Sequence, residues 1–141
     1  MSDTVMGFDY GTKRIGVAIG NFLLKKGSPL RIIPSVPKER RWEEIEKLVE
    51  EWQPVEFVVG RPVYPDGTPH EMTRLAEKFS RQLAARFRRH THMTDERYTS
   101  ALLEDVDGPV DDMSAAIILE QWFSEEEKRR AEDQAAKEEE L

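Results

Sequence analysis

The chain has 141 residues, 38% of them apolar and 35% charged, which is long and mixed enough for one domain with a proper core. It contains no cysteine, which excludes disulfides, thiolate zinc sites and cysteine nucleophiles. No apolar run approaches the roughly 18 residues of a membrane span, and no basic stretch followed by an apolar segment opens the chain, so a cytoplasmic protein is expected.

Residues 4–20 read as two short apolar strands folded back through the polar turn at Gly11, Thr12 and Lys13. Asp9 falls near the end of the first strand, where an acid is poor material for a sheet unless the sheet carries a site. Residues 23–27 look like a connecting turn, and 29–34 a third strand that its prolines keep short or at an edge. Trp42, Ile45, Leu48, Val49 and Trp52 recur at helical spacing and predict an amphipathic helix over roughly 40–53. The nearly all-apolar run 55–59 suits a strand buried in a parallel sheet.

Residues 60–68 are loop by composition, with Asp66-Gly67 marking a turn. A second helix follows, with Thr68 expected as its cap, Pro69 in its first position and Glu71 completing a capping box. Met72, Leu75, Ala76, Phe79, Leu83 and Phe87 give it one apolar stripe. Residues 90–96 predict a fifth strand ending in acids, followed by a short helix over about 98–105 that Asp107-Gly108-Pro109 breaks. Asp111 and Asp112 open a last helix in which Met113, Ala116, Ile117, Leu119, Trp122 and Phe123 are expected to pack inward. The three tryptophans, all at helical positions, read as packing residues.

This order predicts a mixed α/β sheet of five strands flanked by helices over residues 1–123. Residues 124–141 hold eight acids and four bases with no apolar face, and are expected as a solvated helical extension or tail. The net charge of −7 is therefore unevenly spread. From 74 to 97 the bases Arg74, Lys78, Arg81, Arg86, Arg88, Arg89 and Arg97 outnumber Glu77, Asp95 and Glu96, a surface that could face phosphates or simply water.

In sheets of this kind ligands sit beyond the carboxyl ends of the strands, where Asp9 and Glu96 are placed, with Asp111 at a helix start. Three converging carboxylates need a cation, and oxygen ligands without cysteine or a histidine cluster favour Mg²⁺ or Mn²⁺. A pair of such ions activates water and stabilises the leaving oxygen in phosphodiester cleavage. Lys13, Arg14 and Arg97 could hold the phosphate backbone beside them. Each acid also has a plainer reading: Asp9 as an Asx residue of its turn, Glu96 in a surface pair, Asp111 as a helix cap that Asp112 could equally provide.

The run Asp9-Tyr10-Gly11-Thr12-Lys13-Arg14-Ile15-Gly16-Val17-Ala18 resembles the opening motif of the YqgF/RuvX family. Val59-Gly60-Arg61-Pro62 with Asp66-Gly67-Thr68 is similar to its central loop, and Asp95-Glu96-Arg97-Tyr98-Thr99-Ser100 to its acidic-basic motif. Val110-Asp111 with the run from Ser114 to Leu119 resembles its closing helix. The four blocks stand in family order over residues 5–123. The resemblance implies an RNase H-like fold and a cytoplasmic nuclease of 5′-end maturation of pre-16S rRNA, in a family earlier regarded as Holliday junction resolvases. Carried over by position, it implies Asp9, Glu96 and Asp111 as the catalytic, metal-binding acids. Pre-rRNA is then the expected partner ahead of a DNA junction, for a monomer or weak homodimer that needs no membrane. Lys13, Arg14, Arg61, Arg81, Arg88 and Arg97 are the candidate nucleic-acid contacts. Arg61 and Tyr98 stand where the family usually has apolar residues, and the link 103–109 is short and acidic where relatives often carry a longer basic loop.

Two other classes compete. Asp9-x-Gly11-Thr12 also resembles the first phosphate loop of sugar kinases and actin-like proteins, which pair two such domains. A non-catalytic RNA-binding assembly factor on the same fold is the other. His90 and His92 fall on one strand face, without a third metal ligand nearby in sequence.

Overall fold

The computed structural model describes residues 3–96 and 112–139. Among these residues eight elements follow in order: β1 (Thr4–Tyr10), β2 (Arg14–Asn21), β3 (Gly27–Pro34), α1 (Lys38–Trp52), β4 (Glu56–Arg61), α2 (Glu71–Phe87), β5 (His90–Asp95) and α3 (Asp112–Glu139). The five strands form one sheet in the order β3-β2-β1-β4-β5. β2 lies antiparallel to both β1 and β3, whereas β1, β4 and β5 are parallel. The expected mixed, helix-flanked sheet is the observed one. The short helix expected over 98–105 lies outside the described residues.

Strand alternation sends side chains to two separate cores. Met6, Phe8, Ile15, Val17, Ile33, Phe57 and Val59 pack against Trp42, Ile45 and Leu48 of α1 and Phe79 and Leu83 of α2. Val5, Ala18 and Val58 on the other face pack against Ala115, Ile118, Leu119, Trp122 and Phe123 of α3. Gly7 lets α3 lie close to that face, because a Cβ there would stand 2.5 Å from Leu119 Cγ and 3.2 Å from the Ala115 carbonyl oxygen. Leu119 thus sits over Gly7, and Phe123 reaches Gly20, the register partner of Val5. α3 therefore runs antiparallel to β1, and its first residue comes to the Asp9 end of that strand.

Several local expectations are corrected. Gly60 and Arg61 are the last residues of β4 rather than loop, since they pair in parallel with Thr94 and Asp95. β3 begins at Gly27, two residues before Pro29, which an edge strand tolerates because its missing N–H can face outward. The α2 cap is His70 rather than Thr68: its ring accepts from Met72 N–H at 3.2 Å, while its own N–H donates to Thr73 Oγ1 at 2.9 Å. Thr73 also donates to the Pro62 carbonyl, so the box closes on Thr73 and ties α2 to the end of β4.

Met113 and Ile117 are 56% and 47% exposed rather than packed inward. The buried stripe of α3 is Ala115, Ile118, Leu119 and Trp122, spaced i, i+3, i+4 and i+7, which leaves Met113 and Ile117 on its flank. Trp42 and Trp122 are buried as packing residues, but Trp52, in the last turn of α1, is 37% exposed. α3 runs on unbroken to Glu139, with every residue from Glu127 to Glu139 exposed.

Candidate active site

Asp9 lies one residue from the end of β1 and is 9% exposed. Its side chain shares the α3 face with Val5 and Gly7, by alternation along the strand. The β1–β4 register pairs Phe8 with Val59, so the next step places Asp9 beside Gly60. Gly60 in turn pairs with Thr94 of β5. Glu96 follows β5 directly, and its backbone N–H donates to the Arg61 carbonyl at 3.0 Å. Its side chain returns across the sheet: a Cβ on Gly60 would overlap Glu96 Oε1 and stand 2.7 Å from its Cδ. Three neighbouring strands thus bring Asp9 and Glu96 together over a glycine.

Glu96 Oε1 is fully enclosed. Burial, then the Asp9 charge, then a hydrogen bond with the Asp9 carboxyl hold the Glu96 pKa well above the ordinary carboxylate range. Two carboxyls confined in this way repel once both are ionised. A divalent cation relieves that conflict, and their all-oxygen donor set fits Mg²⁺ or Mn²⁺. Among the described residues no three His, Asp or Glu side chains meet around one point. Asp111 and Arg97 lie outside the described residues. Asp112, the first residue of α3, comes to the same end of the sheet as Asp9.

The basic candidates separate. Lys13 in the β1–β2 turn and Arg14 at the start of β2, both exposed, lie just beyond Asp9. Lys13 is held there by its carbonyl, which accepts from Ser35 N–H at 2.9 Å. Arg61 is in ion pairs instead, with Nη1 3.2 Å from Asp95 Oδ1 and Nε 3.4 Å from Glu77 Oε2. Those acids outweigh the opposing effect of burial and raise its pKa further. Arg81 and Arg88 are exposed on α2, on the other face of the sheet. Arg88 caps α2 two residues before His90, and six strand residues at about 3.3 Å each put it roughly 20 Å from Glu96.

His90 and His92 share a strand face with ring centres 6.4 Å apart, as expected. His92 pairs with Glu56 at 3.0 Å and packs against Trp122 at 4.9 Å, which makes it a link between β4, β5 and α3.

Three residues escaped the sequence reading. Gly60 was assigned to a loop. Gln121 stands beside the apolar stripe of α3, and its Nε2 donates to the Asp95 carbonyl at 2.6 Å and to Thr94 Oγ1 at 2.9 Å. Arg41, only 4% exposed, donates to the Ser35 carbonyl at 2.9 Å, Ser35 Oγ at 3.1 Å and the Tyr10 hydroxyl at 3.3 Å. Nothing in the Lys-Glu-Arg-Arg-Trp run distinguishes Arg41 from its exposed neighbour Arg40.

Comparison with known proteins agrees with this geometry. A RuvC of Thermus thermophilus, in complex with a Holliday junction substrate, superposes with a TM-score of 0.56 at 15% identity, covering 85% of this chain and 92% of that one. A second Thermus thermophilus RuvC structure superposes at 0.55 and 13% identity, covering 89% and 96%. These likenesses show the fold, which is RNase H-like. A protein of Polynucleobacter necessarius, provisionally named a pre-16S rRNA nuclease, is 50% identical over 125 residues, 86% of this chain and 85% of that protein. One of Paraburkholderia xenovorans with the same provisional name is 47% identical over 126 residues, 84% and 86% of the two chains. The family described as RuvX, Holliday junction resolvase, matches residues 3–125. With its motifs in order and its two described acids meeting at the carboxyl ends of parallel strands, this chain belongs to the RuvX family.

Proposed function

We propose that this chain is a divalent-metal-dependent nuclease that hydrolyses phosphodiester bonds, with the 5′ region of precursor 16S rRNA as its substrate. The observation that carries the reading is the meeting of the Asp9 and Glu96 carboxyls over Gly60. The relatives' shared name supplies the substrate class. Residues 1–123 form the nuclease domain, and 124–141 a solvated extension. The protein works in the cytoplasm, as a monomer or weak homodimer. No helix among the described residues is long and apolar enough to cross a membrane.

In this reading Asp9, Glu96 and Asp111 hold Mg²⁺ or Mn²⁺, which when bound supplies an activated water and charge stabilisation at the leaving oxygen. The chain's own contribution is to confine two carboxyls where a cation is favoured, on strand ends that keep them in place. Lys13 and Arg14 receive the phosphate backbone from the adjoining turn. Arg97, next to Glu96 in sequence, is assigned the same role.

The test is cleavage of three substrates with Mg²⁺ or Mn²⁺: a pre-16S rRNA 5′ leader, an unrelated single-stranded RNA and a four-way DNA junction. The leader is expected to be cut, and Asp9→Asn to abolish cutting with the fold intact. Preferential cutting of the junction would make the protein a resolvase. RNA binding without cutting would make it an assembly factor, and cutting unchanged by Asp9→Asn would remove the acidic triad.

A further inference from the structure

We propose that Gln121 and Arg61 are positioning residues that fix the direction of the Glu96 side chain, and that Arg61 acts as this brace instead of contacting phosphate. The inference rests on the nuclease reading and names two parts of its machinery.

Glu96 lies just beyond the end of β5. Its Cα–Cβ direction is set by the peptide group joining Asp95 to Glu96. Both ends of that peptide are bonded. The Asp95 carbonyl accepts from Gln121 Nε2 at 2.6 Å, and the Glu96 N–H donates to the Arg61 carbonyl at 3.0 Å. One bond comes from α3 and the other from β4, so rotating the peptide plane breaks both. The Asp95 side chain is held as well, by Arg61 Nη1 at 3.2 Å.

Each brace is itself anchored. Arg61 Nε lies 3.4 Å from Glu77 Oε2 on α2, which orients the guanidinium along β4. Gln121 Nε2 also donates to Thr94 Oγ1 at 2.9 Å and lies 3.1 Å from Glu125 Oε1. Thr94 donates to the same Glu125 oxygen at 2.8 Å. Gln121 therefore ties the end of β5 to α3, the helix whose first residue follows Asp111.

A guanidinium already bonded to two carboxylates, Asp95 at the end of β5 and Glu77 on α2, is a poor phosphate ligand, because a phosphate must displace or repel both. Lys13 and Arg14 carry their charge exposed, in the turn and at the start of β2 beyond Asp9, without such partners among the described residues.

The experiment uses the full chain with Gln121→Leu, Gln121→Glu, Arg61→Met and Arg61→Lys. Readouts are Mn²⁺ affinity by electron paramagnetic resonance, kcat and KM on the pre-16S rRNA 5′ leader, and thermal unfolding. Loss of either brace is expected to weaken Mn²⁺ and lower kcat by about 10-fold or more, the usual effect of losing a group that orients a metal ligand. KM for RNA should stay within about twofold, the split expected when an interaction acts on the chemical step alone. Gln121→Glu keeps the shape but loses the donor, so it should be at least as damaging as Gln121→Leu. Arg61→Lys should recover part of kcat. If Gln121→Leu does not fold, Arg61→Met, which removes the Asp95 side-chain contact and leaves the Arg61 carbonyl bond in place, tests the brace on the β4 side.

A raised KM with a salt slope reduced by about 1 and unchanged Mn²⁺ affinity in Arg61→Met would make Arg61 a phosphate contact and overturn the proposal. Full activity in Gln121→Glu would also overturn it. Wild-type protein that neither binds Mn²⁺ nor cuts RNA would instead refute the nuclease reading, a separate result.

Discussion

Gly60 leaves open the space that the Glu96 carboxyl fills. A Cβ there would overlap Oε1, stand 2.7 Å from Cδ and 2.5 Å from Ile118 Cδ1. No positive φ requires glycine at this position. The requirement is steric, and it belongs to the acid two strand residues beyond its register partner Thr94.

Gly60→Ala is therefore expected to move Glu96 away from Asp9. A displacement of about 1 Å in a catalytic group costs on the order of 100-fold in rate, and overpacking of this kind costs about 1–3 kcal/mol in stability. Steady-state cleavage and urea unfolding read the two effects separately. Wild-type kinetics in Gly60→Ala would mean that Glu96 has no fixed role at this spot.

The metal-free protein should lose stability as pH rises through a defined window. Glu96 keeps its proton when folded to a pH above that at which the unfolded chain releases it. Between those two values the folded state binds more protons, so stability falls with pH. The contribution is whole below the unfolded value, about 4.3 for a glutamate, and is lost as pH climbs through the raised folded value. Urea unfolding in EDTA should show this slope in wild type and a flatter curve in Glu96→Gln. A slope of the opposite sign in this window would contradict the placement of Glu96.

Charge removal at the two ends of the molecule should give different results. Lys13→Ala with Arg14→Ala is expected to reduce the slope of log affinity against log salt by about 2, one for each lost phosphate contact. Arg81→Ala with Arg88→Ala, on the other sheet face and with Arg88 roughly 20 Å from Glu96 by strand length, should leave cleavage unchanged. Filter binding at several salt concentrations, with the same RNA in cleavage assays, decides between them. Equal effects would extend the RNA path along α2.

Arg41 should matter for stability out of proportion to its ordinary sequence context. Arg41→Leu leaves the buried Ser35 backbone and hydroxyl without this donor, a loss of about 1–3 kcal/mol. Arg41→Lys should recover little, because the present contacts use Nε and Nη2 of a planar fork. Chemical denaturation of both variants checks this; a fully stable Arg41→Lys would show that charge alone suffices. Tyr10 follows Asp9 directly, so loosening its hydroxyl bond should also lower cleavage modestly.

The elements were legible wherever one pattern governed a whole segment. Two apolar strands around a glycine turn, the helical spacing of Trp42, Ile45, Leu48 and Val49, and the buried run Phe57-Val58-Val59 all appear as read. Boundaries failed where a neighbour decided them. β4 extends through Gly60 and Arg61 because β5 pairs with them, and the α2 cap moved to His70 because Thr73 bonds both His70 and Pro62.

By itself the sequence determined that Asp9 and Glu96 fall near the carboxyl ends of two strands, and that their motifs follow the family's order. These are local facts, set by alternation, turn chemistry and spacing. Only the tertiary structure decided that Gly60 makes room for the Glu96 carboxyl and that Gln121 bonds the peptide preceding Glu96. It also decided that Arg61 pairs with Asp95 and Glu77, and that Arg81 and Arg88 belong to the opposite face of the sheet from Asp9 and Glu96. Such contacts join residues from different strands and helices, and whether two side chains meet depends on sheet register and helix placement, which no local pattern in the chain specifies.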